Sequence, residues 1–451
     1  MKKHIVILGA GESGVGAALL AKAKGFGTFV SDQGAIAQNY KDILEKNNIE
    51  FEEGKHTEAL IFNAMEVVKS PGIPDSAEVI VKLSARGIPV ISEIEFAGRY
   101  TNARYIAITG TNGKTTTTLL TYHLIKKAGF KVGLAGNIGE SLAKQVIDNQ
   151  FDWYVLELSS FQLDGMFDFK VDVGILLNIT PDHMDRYNYK MENYINSKFR
   201  ITQKTTVTDH FIYYADSEIL SKEINKRELK AQLHPISLST SLESGAYFKN
   251  EAINITLKND SFSIPVDKIV LKGKHNIINS MAAALAAKIV GVDDKVLKEG
   301  LQDFVNAPHR LEPVATINGV KFINDSKATN IDSVSYALDA FEEKLIWIAG
   351  GIDKGNDYDL IKEMAIKKVK TLICLGIDNS KLIKAFNGQI KTIIDTKNIK
   401  DAVAEAFKAA APGDIVLLSP ACASFDLFKN YEDRGKQFKK IVKSLAINHD
   451  Q

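Results

Sequence analysis

The apolar run Tyr105-Ile106-Ala107-Ile108 leads into Thr109-Gly110-Thr111-Asn112-Gly113-Lys114-Thr115-Thr116, and then into a helical pattern carrying Leu119 and Leu120. A strand that ends in a glycine turn and opens a helix is the anatomy of a triphosphate cradle, and it commits this part of the chain to an α/β layer. Gly110 and Gly113 let backbone amides face phosphate oxygens, Lys114 supplies a point charge for the outer phosphates, and Thr115 offers an oxygen to a magnesium ion. Ile108 stands where the usual pattern has its first glycine, so the loop is a shortened variant. Ordinary strand-to-helix turns also contain Gly-Lys-Thr; the strand before it and the helix after it are what favour a nucleotide.

With 451 residues, and about 150 per domain, the chain is long enough for about three domains. The net charge of +1 offers no basic field for nucleic acid, and no apolar run reaches bilayer length, so neither nucleic-acid binding nor membrane insertion is expected. The start, Met1-Lys2-Lys3-His4-Ile5-Val6-Ile7-Leu8-Gly9, is too short in its apolar part for a signal peptide and reads as a first strand. Cys374 and Cys422 are too few for a disulfide framework or a thiolate metal cage, which fits a cytoplasmic location.

Alternating β-rich and helical stretches fall into three segments, 1–97, 98–305 and 306–451. The first has strands near His4 to Leu8, Thr28 to Ser31 and Glu66 to Lys69, a small Rossmann-like unit. The second carries the phosphate loop, the runs Trp153 to Leu158 and Val173 to Ile179, and a helix near Met191 to Gln203. It is expected to be a P-loop-type ATPase domain with a mostly parallel sheet, and the polar stretch 205–268 is taken as its elaboration. The third alternates again, with strands near Val320 to Ile323, Leu345 to Ile348, Thr371 to Leu375 and Ile415 to Leu418, and reads as a second Rossmann-like unit.

Three further motifs carry chemistry. Gly9-Ala10-Gly11-Glu12-Ser13-Gly14 matches the dinucleotide fingerprint, with Asp32 at the next strand end where a ribose-binding acid would sit. Alone it points to an NAD-dependent dehydrogenase. The second phosphate site downstream weighs against that, because hydride transfer has no use for it, and the turn recognises phosphate rather than nicotinamide. Glu157 closes the apolar strand beside the phosphate loop, where a magnesium ligand is wanted; a solvated strand-end acid is the ordinary alternative. The loop Asn178-Ile179-Thr180-Pro181-Asp182-His183-Met184-Asp185-Arg186 is a second polar cluster delivered by an apolar strand.

Together, Gly110 to Thr116, Glu157 with Ser159, Asn178 to Arg186 and Gly273-Lys274-His275-Asn276-Ile277-Ile278-Asn279 resemble the Mur ligases, the ATP-dependent amide-forming enzymes of peptidoglycan precursor synthesis. The strings Ser70-Pro71-Gly72-Ile73-Pro74, Pro308-His309-Arg310-Leu311-Glu312, Asn324-Asp325-Ser326-Lys327-Ala328-Thr329-Asn330 and Ser419-Pro420-Ala421-Cys422-Ala423-Ser424-Phe425-Asp426 are similar to the branch that works on UDP-N-acetylmuramoyl-L-alanine and D-glutamate. A Mur-type ligase for another amino acid is the nearest alternative. A nucleotide-dependent switch is a more distant one.

The resemblance implies a division of labour. The first domain would hold the UDP-sugar through Ser13, Gly14, Asp32, Ser70, Pro71 and Gly72, helped by Asn137 and His183 from the middle domain. The middle domain would bind ATP through Gly110, Thr111, Asn112, Gly113, Lys114, Thr115 and Thr116, with Asn276 and Asn279 on the adenine side. Two Mg2+ ions would be held by Thr115, Glu157, His183 and Lys198. A lysine repels cations, but in this family the matching lysine is carbamylated, which turns it into an anionic oxygen donor. Lys114, His183 and Lys198 would be the catalytic set. The C-terminal domain would complete the ATP site with Arg310, Asp325 and Lys327 and bind D-glutamate with Thr329, Lys354, Ser424 and Phe425. A monomer is expected.

Overall fold

The computed structural model describes residues 4–258 and 260–449, so Met1 to Lys3, at the head of the expected first strand, lie outside the described residues. Three sheets form, one in each expected segment. The first runs Glu50–Glu53, Gly27–Asp32, His4–Leu8, Glu66–Lys69, Val90–Ser92, all parallel. Its central strand is apolar at every step from Ile5 to Leu8, each 0% exposed, because helices cover both faces. Strand order reverses on either side of His4–Leu8, so the turn at Gly9 and the loop at Ser70 open at a switch point, where doubly wound sheets bind ligands. A Cβ on Gly14 would collide with the Gly9 carbonyl, so glycine is what allows helix Glu12–Ala23 to start this close to the strand.

The second sheet has nine strands in the order Asp260–Pro265, Ala252–Leu257, Gly245–Lys249, Gln232–Ser237, His210–Tyr214, Val173–Leu176, Arg104–Thr109, Trp153–Glu157, Val132–Gly136. All pair parallel except the last two joins at the Asp260–Pro265 edge. The polar stretch 205–268 thus extends this sheet. In its outer strand Ala252–Leu257, buried Ile253 and Ile255 alternate with more exposed residues, the pattern of a sheet with one covered face.

The third sheet runs Glu312–Ile317, Val320–Asn324, Ile415–Ala421, Leu345–Gly350, Val369–Leu375, Thr392–Thr396. It is parallel apart from its first hairpin. Trp347 lies at its centre, 0% exposed, with its indole N–H donated to the Ser419 carbonyl at 2.7 Å.

The chain divides into two compact units: residues 1–270 with 277–304, which hold the first two sheets, and 271–276 with 305–451, which hold the third. Two buried carboxylates on the short helix Glu93–Gly98 explain why the first two sheets form one unit. Glu93 accepts from the Ser141 hydroxyl and the Ala143 amide, both at 2.6 Å, and Glu95 from the amides of Phe167 and Phe169, both at 2.9 Å. No helix among the described residues is long and apolar enough to cross a membrane.

Candidate active site

Strand Arg104–Thr109 and helix Lys114–Lys127 flank the phosphate loop. Gly113 has φ of 85°, in the left-handed region, and a Cβ there would strike Asn279 Oδ1. Asn279 also accepts from Thr117 Oγ1 at 3.2 Å, so it backs the loop at the helix start. On the other side the loop is clipped to the segment leaving Val173–Leu176. The Thr111 amide donates to the Asn178 carbonyl at 3.0 Å, and the Asn112 amide to Asn178 Oδ1 at 2.8 Å. Asn178 Nδ2 returns a bond to the Asn112 carbonyl at 3.0 Å, and the Thr111 hydroxyl donates to the Thr180 carbonyl at 3.0 Å. Thr115 and Thr116 are buried in the first turn of the helix.

Two lysines meet at this loop. Lys114 Nζ donates to the carbonyls of Gly110 and Thr111, each at 2.8 Å, and Lys198 Nζ, from helix Met191–Phe199, donates to the Gly110 carbonyl at 3.0 Å. Lys198 is 1% exposed. Burial, and then the like charge of Lys114, hold its ammonium well below the ordinary lysine range, against the pull of Asp182 and Asp164. A lysine so placed is a neutral amine far more readily than one in water.

Glu157 ends strand Trp153–Glu157 and is 1% exposed. Asn137 Nδ2 donates to its Oε1 at 2.7 Å, while its Oε2 is buried with no hydrogen-bond partner. An orphaned carboxylate oxygen in a buried place calls for a cation. A carboxylate oxygen and the Thr115 hydroxyl at the start of the helix are donors of the kind a hard ion such as Mg2+ takes. Among the described residues no group of three or more His, Cys, Asp or Glu assembles a cage.

His183 stands on the loop beyond Asn178 with φ of 52°. Its side chain is half exposed, with Nε2 3.6 Å from Asp182 Oδ2 and its ring 5.1 Å from that of Phe161, on the helix following Glu157. In the first sheet, a cavity of about 900 Å3 gathers Ser13, Asp32, Ser70, Pro71 and Gly72. Asp32 accepts from the amides of Ala10 and Gly34 at 2.7 and 2.8 Å, which sets it across the mouth of the glycine turn. Gly14 packs beneath that turn, and Asn137 sits with Glu157 outside the cavity wall.

In the second unit, the predicted residues collect at the carboxyl ends of three adjacent strands. Asp325 follows Val320–Asn324, is 5% exposed, and accepts from the Ser419 hydroxyl at 2.9 Å and the Leu311 amide at 3.2 Å. Burial pushes its carboxyl up to about 7, with Arg310 pulling the other way. Lys327 Nζ lies 5.4 Å from the Tyr431 ring centroid. The Ala421 amide bonds the Ala328 carbonyl at 2.9 Å, and Ile352 and Ala423 exchange backbone bonds at 2.8 and 3.1 Å. These joins bring the loops of Thr329, Lys354 and Ser424 together. Ser424 is buried, Lys354 exposed, and the Phe425 ring is 69% exposed. Asn276 is buried and donates to the Lys272 carbonyl at 2.9 Å.

Three features went unassigned in the sequence. Lys55 and His56 line the 900 Å3 cavity, with His56 Nδ1 2.7 Å from Ser31 Oγ. Arg434, 1% exposed on helix Tyr431–His449, donates to the hydroxyl and carbonyl of Ser326 and to the Cys422 carbonyl at 2.9 to 3.3 Å. Arg186 reaches the loop at Pro71 and Gly72. A string of residues on one helix carries no local mark of such reach. Only the place of Arg186 in a polar loop pointed to it.

Known proteins match along the whole chain. Residues 4–79 match the MurD N-terminal domain, 108–287 the Mur ligase middle domain, and 309–422 the glutamate ligase domain of Mur ligases. The UDP-N-acetylmuramoylalanine--D-glutamate ligase of Christiangramia forsetii is 50% identical over 445 residues, covering 99% of this chain and 100% of its own. The protein of the same name from Bacteroides thetaiotaomicron is 53% identical over 444 residues, covering 98% and 100%. Among solved structures, the UDP-N-acetylmuramate-alanine ligase MurC of Thermotoga maritima superposes with a TM-score of 0.62 at 17% identity, covering 98% of this chain and 100% of its own. The MurF ligase of Thermotoga maritima, in complex with ADP, gives 0.60 at 15% identity, covering 94% and 97%. At such identities the likeness is one of fold.

Proposed function

The chain belongs to the Mur ligase family, and from that premise we propose that it joins D-glutamate to UDP-N-acetylmuramoyl-L-alanine at the expense of ATP, as a cytoplasmic monomer in peptidoglycan precursor synthesis. The observation that carries the proposal is the 50% identity over 445 residues with a relative named for that reaction. The geometry supports it, because a phosphate loop, a half-buried and a fully buried lysine on one carbonyl, and an orphaned carboxylate oxygen lie in the first unit.

A carboxylate does not condense with an amine in water without activation. In this reading the alanyl carboxylate oxygen attacks the γ-phosphorus in line, the bond to the β-phosphate oxygen breaks, and ADP leaves with an acyl phosphate formed. The amides of Gly110 to Thr116 hold the phosphates, and Lys114 turns from the loop carbonyls to the outer phosphate charge. Thr115 and Glu157 would hold one Mg2+, and His183 with the carbamate of Lys198 a second. When bound, these ions offset phosphate charge as Lewis acids. Asn137 keeps Glu157 turned toward that task.

The D-glutamate amine then attacks the acyl carbon. The tetrahedral adduct expels phosphate, and the nitrogen gives up its extra proton. His183 is the nearest chemical candidate for the acceptor, in competition with its role toward a metal. We assign the 900 Å3 cavity to the UDP-sugar, with Asp32 across the mouth of the turn and Ser70 to Gly72 beside it. Arg310, Asp325 and Lys327 are assigned to the nucleotide with Asn276 and Asn279, and Thr329, Lys354, Ser424 and Phe425 to D-glutamate. A cation at Lys354 suits a dianionic amino acid. Aligning three substrates removes an entropic barrier of about 7 to 11 kcal/mol.

Phosphate release from ATP, Mg2+, UDP-N-acetylmuramoyl-L-alanine and D-glutamate tests the reading, with each omitted in turn and the product weighed. Release that needs all four, with a mass gain of one glutamyl unit, is expected. Hydrolysis that ignores the sugar nucleotide would sink it.

A further inference from the structure

The loop that carries His183 is pinned at two ends of a short span, and the pins reach different layers of the first unit. His183, Asn188 and Tyr189 have φ of 52°, 55° and 55°, left-handed values that residues with a Cβ rarely adopt, so the loop needs outside contacts to keep its course. Tyr187 supplies one. Its hydroxyl donates to Asp164 Oδ2 at 2.9 Å and lies 3.2 Å from Ser197 Oγ, which roots the loop in the helices beside Glu157 and Lys198.

Arg186 supplies the other pin. Its Nη1 donates to the Gly72 carbonyl at 3.1 Å, and its Nη2 to the carbonyls of Pro71 and Ile73 at 3.4 Å each. All three acceptors belong to the wall of the 900 Å3 cavity in the first sheet layer. The same guanidinium lies 4.2 Å from the Phe161 ring centroid, and the His183 ring meets Phe161 edge-on at 5.1 Å. One aromatic ring is therefore shared by the residue that grips the cavity wall and by the imidazole.

We propose that Arg186 is a positioning residue that makes the pose of His183 depend on the conformation of the Pro71–Ile73 wall, so that a sugar nucleotide seated in the cavity sets the imidazole before the chemistry begins. This rests on the assignment of the cavity to the UDP-sugar. A guanidinium fork suits the task, since it holds three carbonyls in fixed directions while its flat face stays on the ring. An ammonium at that position would keep the charge and lose the fork.

The test uses the full-length enzyme and the variants Arg186→Met, which keeps an apolar stem against Phe161, and Arg186→Lys. For Arg186→Met, KM for UDP-N-acetylmuramoyl-L-alanine should rise and kcat fall by about tenfold each, with KM for ATP nearly unchanged. Arg186→Lys should recover only part of the loss. A second readout separates positioning from folding. The His183 imidazole resonance should shift when UDP-N-acetylmuramoyl-L-alanine is added to the parent enzyme, and the shift should be lost in Arg186→Met at an unchanged Tm. Parent-like kinetics in Arg186→Met, an equal loss toward all substrates with a lowered Tm, or an imidazole response identical to the parent's would each overturn the proposal. Failure of the parent enzyme to form glutamyl product would instead overturn the assignment on which it rests.

Discussion

Lys114 and Lys198 donate to one and the same carbonyl oxygen, that of Gly110, at 2.8 and 3.0 Å. Burial, and then the like charge of Lys114 at the same acceptor, hold the Lys198 ammonium well below the ordinary lysine range. A neutral buried amine is the form that adds carbon dioxide, and a carbamate at Lys198 would turn like-charge repulsion with Lys114 into attraction.

Lys198→Ala should therefore lower kcat by about 100-fold or more, as loss of a metal-holding group does, and short carboxylic acids should restore part of the rate. Lys198→Arg should not be rescued, because its charge stays. Steady-state phosphate release checks this. Full activity in Lys198→Ala would remove the lysine from the mechanism.

Glu157→Gln replaces the orphaned oxygen with an amide nitrogen that repels a cation. The Mg2+ concentration needed for half-maximal rate should rise about 10- to 100-fold. Tm without metal should hold or rise, since a buried unpaired charge is gone. An unchanged Mg2+ titration would mean that the ion binds elsewhere.

Gly113→Ala forces a Cβ into a left-handed position, at about 1 to 2 kcal/mol, and pushes on Asn279 Oδ1 as well. The rise in Tm produced by an ATP analogue should shrink or vanish, while product formation falls through KM for ATP. A thermal-shift titration distinguishes this from general unfolding. An undiminished nucleotide shift would show that the loop tolerates the methyl group.

Glu93 gives a pH dependence with a defined sign. Burial pushes its carboxyl from 4.5 up to about 7, despite the hydrogen bonds from Ala143 and Ser141. Between those values the folded chain keeps a proton that the unfolded chain has released, so this residue's share of stability falls as pH rises from 4.5 to 7. Above 7 the penalty is on the order of 3 kcal/mol. Glu93→Gln keeps an acceptor for Ser141 and Ala143 without the charge, so it should be more stable than the parent at pH 8 and nearly equal to it at pH 4. Urea unfolding at both pH values measures the difference, and identical pH slopes would show that Glu93 is not buried as a charge.

Arg434→Met should raise KM for D-glutamate more than KM for ATP, because it frees the Ser326 loop from the Cys422 turn. Each carbonyl left without its donor costs about 1 to 3 kcal/mol, so Tm should fall as well. A Tm loss with D-glutamate KM unmoved would make the residue purely structural.

Strands and phosphate loops were readable because their requirements close within a few residues. Ile106 to Ile108 are apolar at every step since the strand is covered on both faces, and the turn glycines answer to local φ and close approach. The stretch 205–268 was readable only as β-like pieces. Its parallel pairing to Val173–Leu176 through His210–Tyr214 depends on partners far away in the chain.

The three-segment α/β order, the phosphate loop and the motif strings that place the chain in its family are legible in the residue order, because they are properties of neighbours along the backbone. Tertiary structure alone decided the basicity of Lys198, which meets Gly110 across 88 residues, the orphaned oxygen of Glu157, the hold of Arg434 on Ser326 across 108 residues, and the reach of Arg186 to Gly72 across 114. Burial and through-space charge set these properties, and neither is a function of spacing in the chain.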